Sequence, residues 1–254
     1  MSLISKKSTS EIDRIRHCCK IVHLVQKKLK PLVEPGICTL ELDEIAEKTI
    51  ISEGGSPAFK GYNDFPASIC ASNNESVVHG FPCDTPLANG DILSIDVGVK
   101  MNGYFGDGAF TLGVGKITEE KEYLIKTTQR CLTLGIEQMV ADGYLGNISH
   151  AIQQHAEKSG FSIIREYGGH GIGKKLHESP HINNFGTPEQ GPKLKIGHVF
   201  CIEPILSMGR PEITHGCDDW AVFTKDRQPA AHFEHTVAIT KDGPEILTLE
   251  EFCG

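Results

Sequence analysis

Four acidic residues and one histidine lie in strand-like segments, and the four segments that carry the acids are apolar. In chain order they are Asp96, Asp107, His170, Glu203 and Glu234, in the strings ILSIDVGVK, GYFGDGAF, EYGGHGIGKKLH, VFCIEPIL and AHFEHTVAI. Acids in apolar strands are rarely buried without a counter-charge. Four converging carboxylates would also repel one another unless cations neutralised them. The pattern therefore predicts a fold that gathers these segments around two divalent cations, with oxygen ligands and one imidazole.

Each of these residues also has a simpler structural interpretation. Asp107 lies between Gly106 and Gly108, and this triplet alone would indicate a turn. A lone histidine such as His170 is more often structural than a ligand. Glu203 is harder to explain without a cation, because it lies inside an apolar strand-like segment.

Apolar spacing and turn signals predict helices alternating with strands. Strand alternation places Ser94 and Asp96 on one face of a hairpin whose turn is Asn102-Gly103. Four helices are predicted. The first covers residues 10–32, the second runs from Thr39 as N-cap to about Glu53, the third begins at Thr118 as cap, and the fourth runs from about Asn147 to Lys158. Further strands are predicted in FSIIREY, HVFCIEPIL and HFEHTVAIT.

The chain resembles the type I methionine aminopeptidases, metallopeptidases with the pita-bread fold. The resemblance runs from about Ile12 to Leu249 and rests on four strings in the right order. These are the eleven-residue step from Asp96 to Asp107, GGHGIG, IEP and TKDRQPAAHFEHT. It implies an α/β (α+β) pita-bread fold, in which a pseudo-twofold antiparallel sheet is flanked by helices. It also implies one catalytic domain over residues 1–254, with a helical N-terminal extension at about 1–36.

The resemblance also implies roles for the five residues. Asp96 would bind one metal ion and His170 the other, while Asp107 and Glu234 would bridge both. Glu203 would bind the ion on the His170 side and take part in proton transfer. Because carboxylates dominate, with one imidazole and no thiolate, the two ions are expected to be Co, Mn or Fe(II).

Further residues are implied to contact the substrate. His79 and His177 match family residues at the scissile amide. Family positions around the methionine side chain fall on Phe59, Tyr62, Phe65, Cys70, Leu176 and Trp220, for which ordinary core packing is the alternative.

The sequence departs from the family pattern at several positions. Phe59 is bulkier than the usual residue, which suggests a narrower pocket, and Gly108 stands where a hydroxyl or small side chain is commoner. His232 replaces a glutamine two residues before Glu234, and strand alternation would place both on one side. It is expected either to form a hydrogen bond near the metal ligands or to have no chemical role.

The implied activity is removal of the initiator methionine from nascent polypeptide N-termini when the second residue is small. A metal-bound hydroxide would attack the methionine carbonyl. Two alternatives remain. An X-Pro peptidase of the same fold has a long N-terminal domain, and only about 75 residues precede the site here. A catalytically inactive pita-bread binding protein would be expected to lack ligands, whereas this chain has all five.

Charge and composition limit the partners and the location. The net charge of −8 argues against specific DNA binding. Residues 1–30 nevertheless contain eight Lys or Arg against Glu11 and Asp13, which fits either a solvated helix face or weak association with ribosomal RNA. No apolar run is long enough to cross a membrane, and the first residues do not form an apolar signal sequence. The cysteines, which form no CxxC pair, agree with a reducing cytoplasm, where we expect a monomer.

Overall fold

The computed structural model describes residues 4–217 and 220–249. Within this part of the chain the α-helices are α1 (Thr9–Leu29), α2 (Thr39–Ser52), α3 (Glu119–Glu137) and α4 (Leu145–Lys158), and single 3-10 turns cover Lys30–Leu32 and Tyr62–Asp64. The predicted helices are thus present, and their ends lie within three residues of the predicted ones.

The N-termini of the helices follow from their capping residues. The Ser8 side chain accepts the backbone N–H of Glu11, and the Glu11 carboxylate accepts the Ser8 N–H, which forms a capping box for α1. The prediction of Thr39 as N-cap of α2 is wrong by one residue. Cys38 occupies that position, and its backbone N–H donates to Glu41 at 3.1 Å. Thr118 caps α3 as predicted.

The strands within the described residues are short except for one hairpin. They are β1 (Ser56–Pro57), β2 (Ile69–Asn73), β3 (Ser76–Val78), β4 (Ile92–Met101), β5 (Tyr104–Gly113), β6 (Ser162–Ile163), β7 (Gly168–Gly171), β8 (Glu178–Asn183), β9 (Val199–Ile202), β10 (Ile205–Ser207), β11 (Ile213–His215), β12 (Val222–Thr224), β13 (Ala230–His232), β14 (His235–Thr240) and β15 (Gly243–Ile246). The hairpin of β4 and β5 pairs over its full length across the predicted Asn102-Gly103 turn.

The two largest sheets are antiparallel. In one, β4 pairs with β5 on one edge and with β1 and β2 on the other. The other has five strands in the order β15-β14-β9-β7-β8. The backbones of Ala109 in β5 and Glu234, just before β14, exchange hydrogen bonds of 2.9 and 3.3 Å. The hairpin is thereby joined to the five-stranded sheet at an acidic residue.

Two predicted strands are wrong, because each one is broken at its acid. In HVFCIEPIL, β9 belongs to the five-stranded sheet and β10 pairs with β6 and β13 in another. Pro204 has no N–H with which to continue the ladder. In HFEHTVAIT, β13 and β14 are likewise in different sheets, since the backbone of Glu234 pairs with Ala109. The strand predicted in FSIIREY is reduced to β6.

The main core lies between α1 and the hairpin and continues under α3 and α4. Buried α1 residues such as Ile15, Val22 and Val25 pack against β4 and β5. A separate apolar cluster surrounds Phe65. In the described part of the chain, none of the helices has the length and apolar character needed to cross a membrane.

Candidate active site

The hairpin places Asp96 and Asp107 side by side on one face. Asp96 in β4 lies opposite Ala109, and Asp107 in β5 lies opposite Gly98. Residues that differ by two positions along a strand point to the same side, so the two carboxylates are diagonal neighbours. The Asp107 backbone is fixed further by Thr236, whose hydroxyl donates to the Asp107 carbonyl at 2.8 Å.

The glycines on either side of Asp107 are explained by helix packing, not by a turn. A Cβ on Gly106 would lie 2.7 Å from the backbone nitrogen of Cys19 in α1. A Cβ on Gly108 would lie 3.2 Å from the Gln26 side chain, which donates to the Gly108 carbonyl at 2.7 Å. The glycines therefore allow α1 to press on β5 while Asp107 points to the opposite face.

His170 lies in β7, in the five-stranded sheet. A Cβ on Gly171 would lie 3.0 Å from the Ser179 carbonyl carbon, so this strand can pack closely only with glycine there. The Nδ1 of His170 is 2.9 Å from the Gly171 carbonyl oxygen, where it can only donate. This bond leaves the Nε2 lone pair free to bind a cation.

Glu203 and Glu234 occupy the two strand breaks and complete the site. Glu203 lies between two imidazoles, because its Oε1 is 3.6 Å from His170 Nε2 and its Oε2 is 3.5 Å from His232 Nε2. The same His232 atom is 3.9 Å from Glu234 Oε2. The structure thus brings together all five predicted ligands, with His232 as an additional neighbour.

The charges of this group are not balanced by protein cations. Burial, with help from neighbouring carboxylates, raises the pKa values of Asp107, Glu203 and Glu234 well above their ordinary values, and burial also raises that of Asp96. Oδ1 of Asp96 and Oε1 of Glu234 are buried without a hydrogen-bond partner in the described structure. No Lys or Arg is among the described residues that line the cavity. These orphaned oxygens fit a site that is completed by divalent cations.

The donor atoms form two groups that share Glu234. One contains Asp107, His170, Cys201 and Glu234, and the other contains Glu203, His232 and Glu234; within each group the atoms lie within 4.8 Å of one another. The thiol of Cys201 was not predicted there. Burial and the charge of Glu234 raise its pKa well above its ordinary value, so it remains protonated and is a poor ligand. The usable donors are carboxylates and imidazoles.

His79 and His177 line the same cavity as the acids. The rings of His177 and His170 are 4.4 Å apart, and the Tyr62 hydroxyl is 3.1 Å from His177 Nδ1. His79 has a positive φ of 57°, which is uncommon outside glycine and indicates a constrained position. Its ring meets that of Trp220 edge-on at 5.8 Å. Burial lowers the pKa of His79 to about 4, so the ring is neutral near pH 7.

An apolar wall also lines this cavity, whose volume is about 280 Å³. Phe59, Phe65, Cys70 and Leu176 are buried in one cluster, and Trp220 packs against them. Gly98 provides room for the Phe59 ring, because a Cβ there would lie 2.8 Å from Phe59 Cζ. All the residues predicted for the methionine pocket, including Tyr62, line the cavity.

Three lining residues were missed by the sequence analysis: Asn63, Val78 and Tyr167. Tyr167 directly precedes the GGH string, and its ring meets that of His79 edge-on at 5.4 Å. Its position directly before the GGH string was the signal that the sequence offered. Asn63 and Val78 have no distinctive pattern in the sequence.

Comparison with known proteins agrees with this geometry. Residues 13–241 match the model of metallopeptidase family M24. A methionine aminopeptidase of Clostridium perfringens is 49% identical over 97% of this chain and 99% of its own, and methionine aminopeptidase 1 of Bacillus subtilis is 46% identical over 97% and 99%.

A solved structure shows the same fold. The crystal structure of methionine aminopeptidase from Rickettsia prowazekii superimposes with a TM-score of 0.95 at 38% identity, and the match covers 97% of this chain and 100% of that one. This similarity confirms the predicted pita-bread fold. The chain therefore belongs to metallopeptidase family M24, among its methionine aminopeptidases.

Proposed function

We propose that this protein is a methionyl aminopeptidase that removes the initiator methionine from nascent polypeptides whose second residue is small. The observation that carries the proposal is a buried set of four carboxylates and one imidazole beside an apolar, aromatic-lined cavity. The relative from Clostridium perfringens that is named a methionine aminopeptidase matches over almost its full length. We take residues 1–254 as a single catalytic domain.

Two divalent ions, Co, Mn or Fe(II), would be held by Asp96, Asp107, His170, Glu203 and Glu234. Carboxylate oxygens and imidazole without thiolate are the donors that favour these ions. When bound, they supply Lewis acidity and lower the pKa of a bound water. Without them, the unpaired oxygens of Asp96 and Glu234 would leave the site under strong repulsion.

The chain's own residues would orient the peptide and move protons. Glu203 lies at the edge of the cavity between two imidazoles, a position from which it can take a proton from the attacking water and pass it to the leaving amine. Tyr62 contacts Nδ1 of His177 and leaves its Nε2 for the substrate. His79, kept neutral by burial, can donate or accept one hydrogen bond at the scissile amide.

Specificity for methionine would come from the apolar wall. Phe59, Phe65 and Trp220 present aromatic rings, and such rings contact a thioether favourably. A shorter side chain would lose about 0.8 kcal/mol for each missing buried CH₂. A large second residue would collide with His79 and His177, which also line the cavity.

The test is release of free methionine from a Met-Ala-Ser peptide by protein that has been treated with a chelator and then given Co, Mn or Fe(II). We expect no release by the metal-free protein, recovery with metal, and poor cleavage of Met-Lys-Ser. An inactive binding protein would release nothing under any condition. An X-Pro peptidase would prefer a peptide with proline at the second position. Equal cleavage of the Ala and Lys peptides would contradict the proposed pocket.

We further propose that the enzyme acts as a cytoplasmic monomer. Weak ribosome association through the basic N-terminal segment, residues 1–30, is the second hypothesis, and two of the cations in this segment are already engaged. Lys7 pairs with Glu178, and Arg16 with Glu245. This pairing favours the solvated-face interpretation.

The ribosome hypothesis is tested by reversing the charge of exposed α1 residues. The variant Lys20→Glu/Lys27→Glu should co-sediment with ribosomes less than the wild type at low salt while it hydrolyses peptides normally. Unchanged co-sedimentation would eliminate the hypothesis.

A further inference from the structure

His232 borders the cavity but has no part in the function proposed above. It ends β13, two residues before Glu234, and only 3% of its surface is exposed. Its Nε2 is buried without a hydrogen-bond partner in the described structure. A buried ring nitrogen without a partner is costly, so its position calls for an explanation.

The distances around His232 do not fit hydrogen bonds. Its Nε2 lies 3.5 Å from Glu203 Oε2 and 3.9 Å from Glu234 Oε2, whereas N–H···O bonds measure about 2.7–3.2 Å. Two donors that each bind one ion at about 2.1 Å would lie between about 3.0 Å apart, when adjacent, and about 4.2 Å apart, when opposite. The observed separations fall in the range expected for donors that share one cation.

The arrangement repeats the one around His170. Glu203 Oε1 is 3.6 Å from His170 Nε2, so each oxygen of this carboxylate faces one imidazole. Glu234 belongs to both donor groups, one with His170 and one with His232.

We propose that His232 is an additional nitrogen ligand for the ion that His170 does not bind, so that each of the two ions has one imidazole and one oxygen of Glu203 beside it. The proposal rests on the two-ion site proposed above and adds a sixth ligand to it. Because imidazole suits Co, Ni and Zn better than the oxygen-preferring Mn, His232 should shift the metal preference toward the former group.

The direct test counts the imidazoles bound to metal. Protein reconstituted with Co(II) is examined by proton NMR, in which ring protons of a Co-bound histidine are displaced far outside the ordinary spectrum. We expect displaced signals from two imidazoles in the wild type. His232→Gln should lose one set and His170→Gln the other, while His155→Gln, on the surface of α4, should lose neither.

The outcomes distinguish a failure of the His232 proposal from a failure of the two-ion site on which it rests. If the wild type shows one imidazole, or if His232→Gln loses no displaced signal, His232 is not a ligand. Metal analysis of the same samples gives the number of ions per chain. A count below two would refute the two-ion site, whereas the imidazole count tests His232 at either stoichiometry.

A second readout distinguishes ligation from a role in orienting Glu203. On titration of metal-free protein, His232→Gln should weaken the binding of one Co(II) ion by at least about tenfold. Mn(II) binding should weaken less. Equal losses for the two metals, with one imidazole signal in the wild type, would show that His232 only positions the carboxylate and would overturn the proposal.

Discussion

Replacing Glu234 with glutamine should stabilise the metal-free protein and weaken the metal-bound one. The carboxylate of Glu234 is 2% exposed, and its Oε1 is buried without a hydrogen-bond partner in the described structure. Burial, then the charges of Glu203 and Asp96, raise its pKa well above the ordinary value. In the absence of cations, folding near neutral pH must therefore either bury the negative charge of Glu234 or protonate its carboxyl group. Both cost free energy.

The magnitude follows from the missing partner. An unsatisfied buried polar group costs about 1–3 kcal/mol, and more when charged. Glu234→Gln leaves a buried polar group in place but removes the negative charge and its repulsion from Glu203 and Asp96. Because this removes the additional cost of the charged form, the free energy of unfolding of the metal-free protein should rise by about 1–3 kcal/mol. For a chain of this size, that corresponds to an increase in Tm of about 2–12 °C.

Bound metal should reverse the order of the melting temperatures, so that the wild type melts above Glu234→Gln. An ion present at 100 times its Kd stabilises the folded state by about 2.7 kcal/mol, or about 5–11 °C. The wild type should gain this stabilisation for each bound ion. Glu234→Gln should gain much less, because the amide oxygen is a weaker ligand. Calorimetric melting of both proteins, after chelation and again with Co(II), measures the difference in Tm between them under each condition.

A matched control uses an exposed acid. Glu53 lies at the end of α2 in contact with solvent, and Glu53→Gln should change the free energy of unfolding by less than about 0.5 kcal/mol under both conditions. The reasoning is refuted if metal-free Glu234→Gln melts at or below the wild type. It is also refuted if this variant keeps the full stabilisation by metal.

Three further variants examine the cavity. His177→Ala should keep its metal but lose kcat/KM for Met-Ala-Ser by on the order of 100-fold, and a loss within about threefold would return His177 to a structural role. Phe59→Cys should widen the pocket, so that kcat/KM across peptides varied at both positions changes more at the first residue than at the second. Gly98→Ala should lower the free energy of unfolding by about 1–3 kcal/mol in denaturant titrations, because its Cβ would lie 2.8 Å from Phe59 Cζ. Adding Phe59→Cys to Gly98→Ala should restore most of that loss, and an additive loss would contradict the proposed contact.

The sequence predicted the elements whose signals are local. The β4–β5 hairpin combines strand alternation with an Asn-Gly turn, and both signals lie within one short segment. Asp96 and Asp107 were recognisable because apolar strands make an acid conspicuous. The apolar spacing of α1 likewise predicted a helix within three residues of the observed ends.

Features that depend on distant contacts could not be predicted in this way. Glu234 lies at a strand break because its backbone pairs with Ala109, more than a hundred residues earlier. The glycines on either side of Asp107 would by themselves indicate a turn, and their actual role depends on α1, which packs against Gly106. The position of His232 was expected from alternation along one strand, yet the strand ends there, and its contact with Glu203 arises from the meeting of different sheets.

The central claim is that the buried acids hold the ions on which methionine release depends. The decisive measurement is the rate of methionine release from Met-Ala-Ser against the number of bound ions per chain, for metal-free wild type and Asp107→Asn titrated with Co(II). The account predicts release that rises with bound metal in the wild type, together with weak binding and no release in the variant. Release by the metal-free wild type, or wild-type release by Asp107→Asn, would contradict it.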